Sequence, residues 1–420
     1  MARVTRQNPR LTSKDAASQY APVGAVVRPV ARLRSPSLMQ LATSAGSLNG
    51  TYAAGSTKTD TDYVQGAASV KVISDGAAGT IGYTWPVVSW NMSDKFLRVV
   101  CKIDDYTNMN YATIDVGTGG GFTNRFTTAL GENFGTKKLR VAREGEWCVL
   151  DYPRDVFTVG AGTPDWSAVT HIRMQGVDKN GVAMTIRVNS VSAVTELPAL
   201  PNGAMVLCLD DSDASQYTIA RPRLDMYGFK ATLFPIVESL GPAGMSVDRM
   251  KALRDMSGWE VGIHAMTIAD HSAGLTGLTE TQLKAKFDEM KSWASAQGFA
   301  SDAFAWPLGE SDAAAEAVAK QYVSAARMTS IGTQSTGIPN AMRLKHYNLG
   351  TRTLAQTQTM IDNAKAGKNL CIMTGHRIVV GGATGNDILQ SVFEPMIDYA
   401  ASVGMPFMTM TEALRTVGAI

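Results

Sequence analysis

The spacing of apolar residues divides the chain into segments of different character. Between residues 46 and 196, short runs such as FLRVVCKI and HIRMQGV alternate apolar and polar positions, with Gly, Asn, Asp and Thr clusters between them. A period of two with turn residues at this spacing is typical of an all-β sandwich. After the Pro-rich segment ELPALPNG (196–203), strand and helix patterns alternate to the end. This alternation predicts an α/β domain with a largely parallel sheet.

These patterns predict three segments: an N-terminal arm or anchor over residues 1–45, a β-sandwich over 46–196, and the α/β domain over 197–420. The first segment is rich in Arg, Ser, Ala and Pro and has no sustained periodicity. In the third, Thr279 and Gln282 form a capping-box pattern, and apolar residues at helical spacing follow until Gly298. A second helix start is predicted at Thr409 with Glu412.

Composition excludes several classes of protein. The net charge of +2 over 420 residues gives no polyelectrolyte signal for nucleic acid binding. No apolar run approaches the ~20 residues that span a bilayer, and the N-terminus lacks the apolar core of a secretion signal. Synthesis in the cytoplasm without a signal peptide is therefore expected. The four cysteines form no C-x-x-C pair, so a zinc ribbon is not expected. Cys208 and Cys371 lie inside apolar strand-like runs and are expected to be buried free thiols.

Charged and imidazole side chains stand at the ends of three apolar strand-like runs. AMVLCLDDSD (204–213) ends in Asp210 and Asp211, WEVGIH ends in His264 with His271 seven positions on, and LCIMTGH ends in His376. The carboxyl ends of parallel strands gather at one rim of a barrel. One carboxylate of the doublet is expected to bind a cation while the other accepts a proton. One Asp and two His leave metal positions open for water and substrate, whereas His171 and His346 are expected to be structural.

With these motifs in order, residues 203–417 resemble the polysaccharide deacetylases of carbohydrate esterase family four. LCLDDSD is similar to the family's first motif and EVGIHAMTIADHSAGL to its second. AFAWPLGESD (303–312) is similar to the third motif in a form without arginine, YVSAARMTS to the following strand, and LCIMTGHRI to the last motif. The resemblance implies a distorted, incomplete (β/α) barrel preceded by the jelly-roll-like sandwich.

The resemblance also implies a role for each matching residue. Asp210 would be the general base and His376 the general acid, and a divalent metal, zinc first, would be bound by Asp211, His264 and His271. Trp306, Pro307 and Leu308 would form the groove wall, with the Leu308 N–H stabilising the oxyanion. The implied activity is metal-dependent removal of acetyl groups from a polysaccharide, with His376 favouring N-acetyl substrates.

Four departures from the family pattern qualify these roles. The metal histidines of the family lie four residues apart, whereas seven residues of straight helix span about 10.5 Å. The segment between His264 and His271 must therefore loop, or Asp270 must take the third position. Ser212 replaces a glycine, Leu308 replaces an aromatic residue, and Ala305 replaces the arginine that contacts the base, with Arg327 as a possible substitute.

The antiparallel segment offers a second possible function. Residues 159–194 resemble the closing half of jelly-roll carbohydrate-binding modules. Six aromatic residues are candidates for stacking on sugars or, alternatively, for core and rim packing. They are Trp85, Trp90, Tyr106, Tyr111, Trp147 and Trp166.

Other functions remain open at this point. The domain is alternatively a deacetylase-like protein without activity that only binds glycan, or a structural virion or surface protein. A further alternative is an aspartate-dependent phosphatase using Asp211 and Asp213, which leaves the histidines without a role. The layout of arm, sandwich and glycan-modifying domain resembles phage tail spikes that act on bacterial surface polysaccharide. That likeness implies a homotrimer and virion attachment through the arm.

Overall fold

The computed structural model describes residues 39–40, 46–64, 66–130, 143–195, 200–242, 244–335, 338–350 and 352–420. Residues 37–420 form one compact unit. The predicted N-terminal arm lies outside the described residues except for 39 and 40, which form a short strand. The boundaries at 45 and 196 stay predictions.

The first half of this unit is an all-β region. Its strands are β1 (Met39–Gln40), β2 (Ser47–Gly50), β3 (Thr57–Asp60), β4 (Ser69–Ile73), β5 (Thr80–Trp90), β6 (Lys95–Ile103), β7 (Met109–Thr118), β8 (Asn124–Ala129), β9 (Cys148–Tyr152), β10 (Thr158–Ala161), β11 (Val169–Asp178) and β12 (Thr185–Thr195). One antiparallel sheet has the order β3-β4-β12-β6-β9 with β1 beside β12, and the other has the order β10-β8-β7-β11-β5-β2. Alternate residues of both sheets face one shared apolar core.

Most of the aromatic residues considered for sugar stacking belong to this core. Trp85, Trp90 and Tyr106 are at most 5% exposed, so they have no face available to a ligand. Trp166 stacks on Phe126 with ring centroids 4.0 Å apart. Two others differ: the Trp147 indole donates a hydrogen bond to Asp62, and Tyr111 is 47% exposed. For these residues, with the exception of the exposed Tyr111, the structure favours the packing interpretation.

The second half contains the parallel strands and all the described α-helices. Its strands are β13 (Ala204–Asp210), β14 (Thr232–Phe234), β15 (Glu260–Val261), β16 (Ala303–Ala305), β17 (Ala325–Ile331), β18 (Leu344–Asn348), β19 (Leu370–Gly375), β20 (Ile378–Val379), β21 (Ile388–Leu389) and β22 (Phe407–Met408). Its helices are α1 (Arg221–Asp225), α2 (Val247–Ser257), α3 (Ile268–Ala273), α4 (Glu280–Ala296), α5 (Ala313–Ala319), α6 (Leu354–Gly367), α7 (Gln390–Ser402) and α8 (Met410–Thr416). The predicted capping boxes at Thr279 and Thr409 are confirmed.

The parallel strands curve into a nearly closed barrel. Their order is β15-β14-β13-β19-β18-β17-β16, and a parallel bridge between Ile263 and Phe304 joins the two edges. Strand β13 lies between β14 and β19 inside this sheet, and all seven of its residues are buried. Its carboxyl end, where Asp210 stands, is thus held from both sides. The predicted α/β barrel of deacetylase type agrees with this topology, whereas a specific jelly-roll order for the all-β region stays a prediction.

A network of buried charges joins the all-β region to the barrel. Glu316 on α5 is 3% exposed and accepts hydrogen bonds from Arg343 at 2.6 and 3.1 Å. From the all-β side, Arg143 lies 3.2 Å from Glu316, and Glu146 accepts a hydrogen bond from Arg343 at 2.9 Å. Buried charges need partners of this kind, because desolvation would otherwise be costly. The two regions therefore share one electrostatic interface.

The same interface continues along strand β9. Asp151 accepts two hydrogen bonds from Arg98 and a third, at 2.6 Å, from the Ser335 hydroxyl of the barrel. Asp155 accepts from Thr333 and Asn369, and burial raises the pKa of its carboxyl group. These contacts leave few polar groups at the junction without partners.

All four cysteines are buried and free, which confirms the prediction for Cys208 and Cys371. No helix in the described ranges has both the length and the apolar character needed to cross a bilayer.

We predict that Glu316→Gln lowers the free energy of unfolding by about 3 kcal/mol, because it removes the buried charge facing two arginines. Chemical denaturation of purified protein measures this change. Lys320→Gln is the matched control: Lys320 pairs with the same carboxylate from an exposed position, so its loss is expected to cost under about 1 kcal/mol. Equal effects of the two substitutions would contradict the role assigned to the interface.

Candidate metal centre and acid–base site

The end of strand β13 is built so that two consecutive carboxylates face one site. Asp210 is the last residue of the strand, and Asp211 and Ser212 follow with φ values of 67° and 70°. Side chains of neighbouring residues in a regular strand point to opposite faces, and this left-handed turn redirects the second one. For non-glycine residues the conformation costs about 1–3 kcal/mol each. The Asp211 N–H and the Ser212 hydroxyl hold the turn through hydrogen bonds to Phe234 O and Ile236 O.

Asp211 forms a cluster with two histidines. Its Oδ1 lies 3.6 Å from His264 Nε2 and 3.9 Å from His271 Nε2, and the three potential ligand atoms lie within 4.8 Å of one another. The rings of His264 and His271 meet edge to face with centroids 4.7 Å apart. A divalent cation is bound by donors of these types.

The seven-residue spacing is accommodated by a turn and a short helix. His264 follows β15, and the chain turns before α3 begins, where the Thr267 hydroxyl accepts a hydrogen bond from the Asp270 N–H. The six-residue α3 brings His271 back beside His264. Asp270 forms a 2.8 Å ion pair with Lys286 instead of joining the cluster. Of the two solutions left open by the sequence, the loop is the one observed.

The protonation of His264 suits a metal ligand. Its Nδ1 lies 2.8 Å from the carbonyl oxygen of Ala305, and because a carbonyl only accepts, Nδ1 carries the proton. Nε2 then presents a lone pair towards Asp211. Burial lowers the pKa of His264 to about 4, which keeps the ring neutral near pH 7.

Asp211 adds the second condition for a metal centre. Its Oδ1 is buried and has no hydrogen-bond partner within the described structure. A buried acceptor without a donor is costly, and a cation would satisfy it. The three residues therefore fit a divalent metal.

Asp210 on β13 is paired with Arg327 on β17, three places away in the strand order of the barrel. The two side chains are 2% and 3% exposed, and Arg327 Nη2 donates to Asp210 Oδ2 at 2.6 Å. Burial by itself would raise the pKa of Asp210, but the positive charge of Arg327, with smaller contributions from His376 and His264, outweighs burial and lowers that pKa. Asp210 is therefore ionised and able to accept a proton.

The position of Arg327 explains how the missing motif arginine is replaced. Ala305 on β16 and Arg327 on β17 are register partners in adjacent parallel strands. A guanidinium from β17 thus reaches the carboxylate that an arginine at position 305 would contact. Arg327, which was also predicted to bind substrate, therefore contacts the proposed general base Asp210.

His376 lies beside both carboxylates. Its Nε2 is 4.0 Å from Asp210 Oδ2 and 3.6 Å from Asp211 Oδ2, and its side chain is 24% exposed. This partial exposure leaves the ring accessible from the rim of the barrel. A proton donor there can reach a leaving group bound above the carboxylates.

The three predicted groove residues differ in exposure. Leu308 is 46% exposed, in a left-handed turn with φ of 59°. Trp306 is 1% exposed and donates its indole N–H to Met342 O, so it packs in the core and offers no groove surface. Pro307 is buried as well. A groove wall at this position would consist mainly of Leu308.

Other predicted residues lie away from the cluster. His171 is in the all-β region, where its ring meets Phe122 edge to face. His346 is buried on β18 and does not belong to the cluster of Asp211, His264 and His271. Asp213 accepts hydrogen bonds from the Ser215 N–H and hydroxyl, so it does not join Asp211 as a phosphatase mechanism requires.

Two residues near the site were not identified from the sequence motifs. Lys286 holds α3 in place through its ion pair with Asp270. In the sequence it is recognisable only as a basic residue on the helix that follows the second motif. Gln216 donates to the backbone of both Asp210 and His376, and no sequence pattern identifies this role.

Comparisons with known proteins concern the barrel. Residues 199–325 match the family model described as polysaccharide deacetylase. The match contains Asp210, Asp211, His264 and His271 and ends before Arg327 and His376. It supports a polysaccharide deacetylase domain in the carboxyl-terminal region. The chain matches no curated protein.

Several solved structures are similar to the chain at low identity. The esterase family four domain of a xylanase from the hindgut metagenome of Trinervitermes trinervoides is 16% identical, with a TM-score of 0.37, covering 52% of this chain and 92% of its own. A family 4 acetyl xylan esterase from Clostridium thermocellum, in complex with a cobalt ion, is 17% identical, with a TM-score of 0.36, covering 50% and 90%. A mutant of a family four pseudoenzyme is 17% identical, with a TM-score of 0.36, covering 51% and 68%.

We predict that Arg327→Met raises the pKa of Asp210 by more than about one unit, because burial then acts without a neighbouring cation. Carbon NMR titration of Asp210 measures this directly. In the wild type, the pKa of Asp210 is lower in the folded state than in the unfolded state, which stabilises the fold at pH values above the unfolded-state pKa. In the variant, the folded-state pKa is the higher of the two, which destabilises the fold over the same pH range. The stability difference between the two proteins should therefore widen from about pH 4 to about pH 7.

Arg223→Met serves as the control, since Arg223 pairs with Asp398 at the surface. An unchanged Asp210 pKa in Arg327→Met would contradict the assignment of Arg327 as the residue that keeps the base ionised.

Proposed function

We propose that this protein is a metal-dependent hydrolase that removes acetyl groups from a polysaccharide. The observation that carries the proposal is the cluster at the barrel rim. Nε2 of His264, His271 and His376 each lies 3.6–3.9 Å from a carboxylate oxygen of Asp211, and Nε2 of His376 also lies 4.0 Å from the ionised Asp210. These groups have the chemistry of general base, metal ligands and general acid.

Each side chain has one part in the proposed reaction. A divalent cation held by Asp211, His264 and His271, with zinc as the first choice, would supply Lewis-acid polarisation of the acetyl carbonyl. Asp210 accepts the proton of the attacking water, since Arg327 keeps its carboxylate ionised. His376 donates a proton to the departing nitrogen or oxygen. The Leu308 N–H is proposed to donate to the developing oxyanion.

The arrangement favours an active enzyme over an inactive glycan-binding relative. Two departures motivated the inactive alternative: Ala305 in place of arginine and the wide histidine spacing. Arg327 provides a cation beside Asp210, and α3 returns His271 to the cluster. Despite both departures, every role in the proposed reaction therefore still has a residue to perform it.

The type of acetyl group follows from the leaving group. An amine must be protonated as it departs, whereas an alkoxide depends less on an acid. The position of His376 beside the carboxylates supports an N-acetyl substrate. We further propose a bacterial surface polysaccharide as the natural substrate. The homotrimer and virion attachment through residues 1–45 stay predictions that concern residues outside the described part.

We predict about one divalent ion per chain, measured by elemental analysis after dialysis against metal-free buffer. His271→Ala should weaken binding at least about 100-fold, because it removes one of three protein ligands. His171→Ala is the control, as His171 lies in the all-β region. Wild-type protein without metal under metal-replete conditions would contradict the metal centre.

We predict that Asp210→Asn lowers acetate release at least about 100-fold while metal content stays the same, because the amide accepts no proton. The assay measures acetate from a panel of N- and O-acetylated glycans, with and without chelator. Asp213→Asn is the matched control, since Asp213 only caps the following turn. Full activity of Asp210→Asn would place the base elsewhere, and an inactive wild type that binds metal would contradict deacetylation itself.

A further inference from the structure

A buried glutamine connects the base and the acid through their backbones. Gln216 is 1% exposed and lies at the start of the π-helical turn Gln216–Ala220. Its Nε2 donates to the carbonyl oxygen of Asp210 at 2.6 Å and to that of His376 at 2.9 Å. Both donors of the amide group are therefore committed to residues of the proposed active site.

These two carbonyl groups belong to different strands at the same rim. Asp210 ends β13, and His376 directly follows β19, its parallel neighbour. The register between the strands runs to the pair Leu209 and Gly375, so the ladder stops one position before the reactive residues. Gln216 continues the connection across this gap, where backbone pairing no longer fixes the distance between Asp210 and His376.

The residue before Gln216 makes a second connection of the same kind. The Ser215 hydroxyl accepts a hydrogen bond from the Ile378 N–H at 2.8 Å and donates to Asp213 at 2.5 Å. Ser215 and Gln216 thus hold the backbone at the His376 carbonyl group and at the Ile378 N–H. The His376 ring itself has a buried Nδ1 without a hydrogen-bond partner within the described structure. Its orientation therefore depends on the backbone and on packing.

We propose that Gln216 is a positioning residue for the general acid. By bridging the carbonyl groups of Asp210 and His376, it sets the position of the His376 ring relative to the two carboxylates. This inference rests on the proposed function, because it assigns the acid role to His376. The side chain is too deeply buried to touch substrate, and its effect is transmitted through the backbone.

The proposal predicts a dependence on the leaving group. Displacing the acid slows reactions in which an amine must be protonated, whereas a nitrophenolate leaves without an acid. Misplacement of a catalytic group by about 1 Å costs up to about 100-fold in rate. A role limited to folding would lower both reactions by the same factor.

The test compares Gln216→Met with Gln334→Met. Gln334 is also buried, at 6% exposed, and its Nε2 donates to the carbonyl oxygen of Lys345, far along the chain from the acid. Both substitutions remove amide donors from a buried site at similar side-chain volume. Steady-state kinetics use the acetylated glycan that the wild type cleaves fastest and 4-nitrophenyl acetate, and metal content and thermal unfolding are measured in parallel.

For Gln216→Met, we expect kcat on an N-acetylated glycan to fall about 10-fold to 100-fold with KM unchanged, and hydrolysis of 4-nitrophenyl acetate to change less than about 3-fold. Gln334→Met should match the wild type on both substrates. Equal losses on both substrates for Gln216→Met, or an unchanged kcat on the glycan, would overturn the proposal.

Hydrogen exchange separates this proposal from the proposed function. In Gln216→Met, the peptide spanning residues 374–380 should exchange faster than in the wild type, while peptides from β14 and β15 should not change. If the wild type binds metal but releases no acetate, the proposed function fails, and faster exchange of this peptide would still support the bridge. Unchanged exchange would overturn the bridge regardless of activity.

Discussion

The pairing of Asp210 with Arg327 is the interaction on which the rest of the site depends. A carboxylate buried at the end of β13 is stable in its charged form only with a cation beside it. Arg327 supplies that cation from β17, three places from β13 in the strand order, and both side chains are almost fully buried. Asp210 is ionised, His264 is neutral and Asp211 is turned out of the strand. The rim therefore places a proton acceptor, a set of metal ligands and a proton donor within a few ångströms.

The all-β region takes part in supporting this rim. Arg143 donates to the Ser311 hydroxyl at 3.1 Å, in the loop that continues from Leu308, and it also lies beside Glu316 on α5. Arg343 and Glu146 extend the same network across the interface. The loop from Leu308 to Ser311 is therefore held between the barrel and the all-β region. This coupling distinguishes the all-β region from a binding module attached by a linker alone.

The sequence predicts what depends on local pattern. Strand ends carrying Asp210, His264 and His376 could be recognised because apolar runs stop at them, and the capping boxes at Thr279 and Thr409 follow from residue types three positions apart. Register between distant strands has no such signal, so the pairing of Ala305 with Arg327 could only be suggested. The three-residue strand before Trp306 was too short to show which face its neighbours occupy, and Trp306 lies in the core. Only a loop between His264 and His271 is expected from the sequence, whereas the structure returns His271 on a short helix that Thr267 caps.

Anomalous diffraction from crystals grown with zinc tests the central claim most directly. We expect one strong peak at the barrel rim, about 2.0–2.2 Å from a carboxylate oxygen of Asp211 and from Nε2 of His264 and His271. Asp210 should remain paired with Arg327 and outside the coordination sphere. The account would be contradicted by a rim without a peak at full zinc occupancy elsewhere, or by an ion bound through Asp210 with His271 turned away.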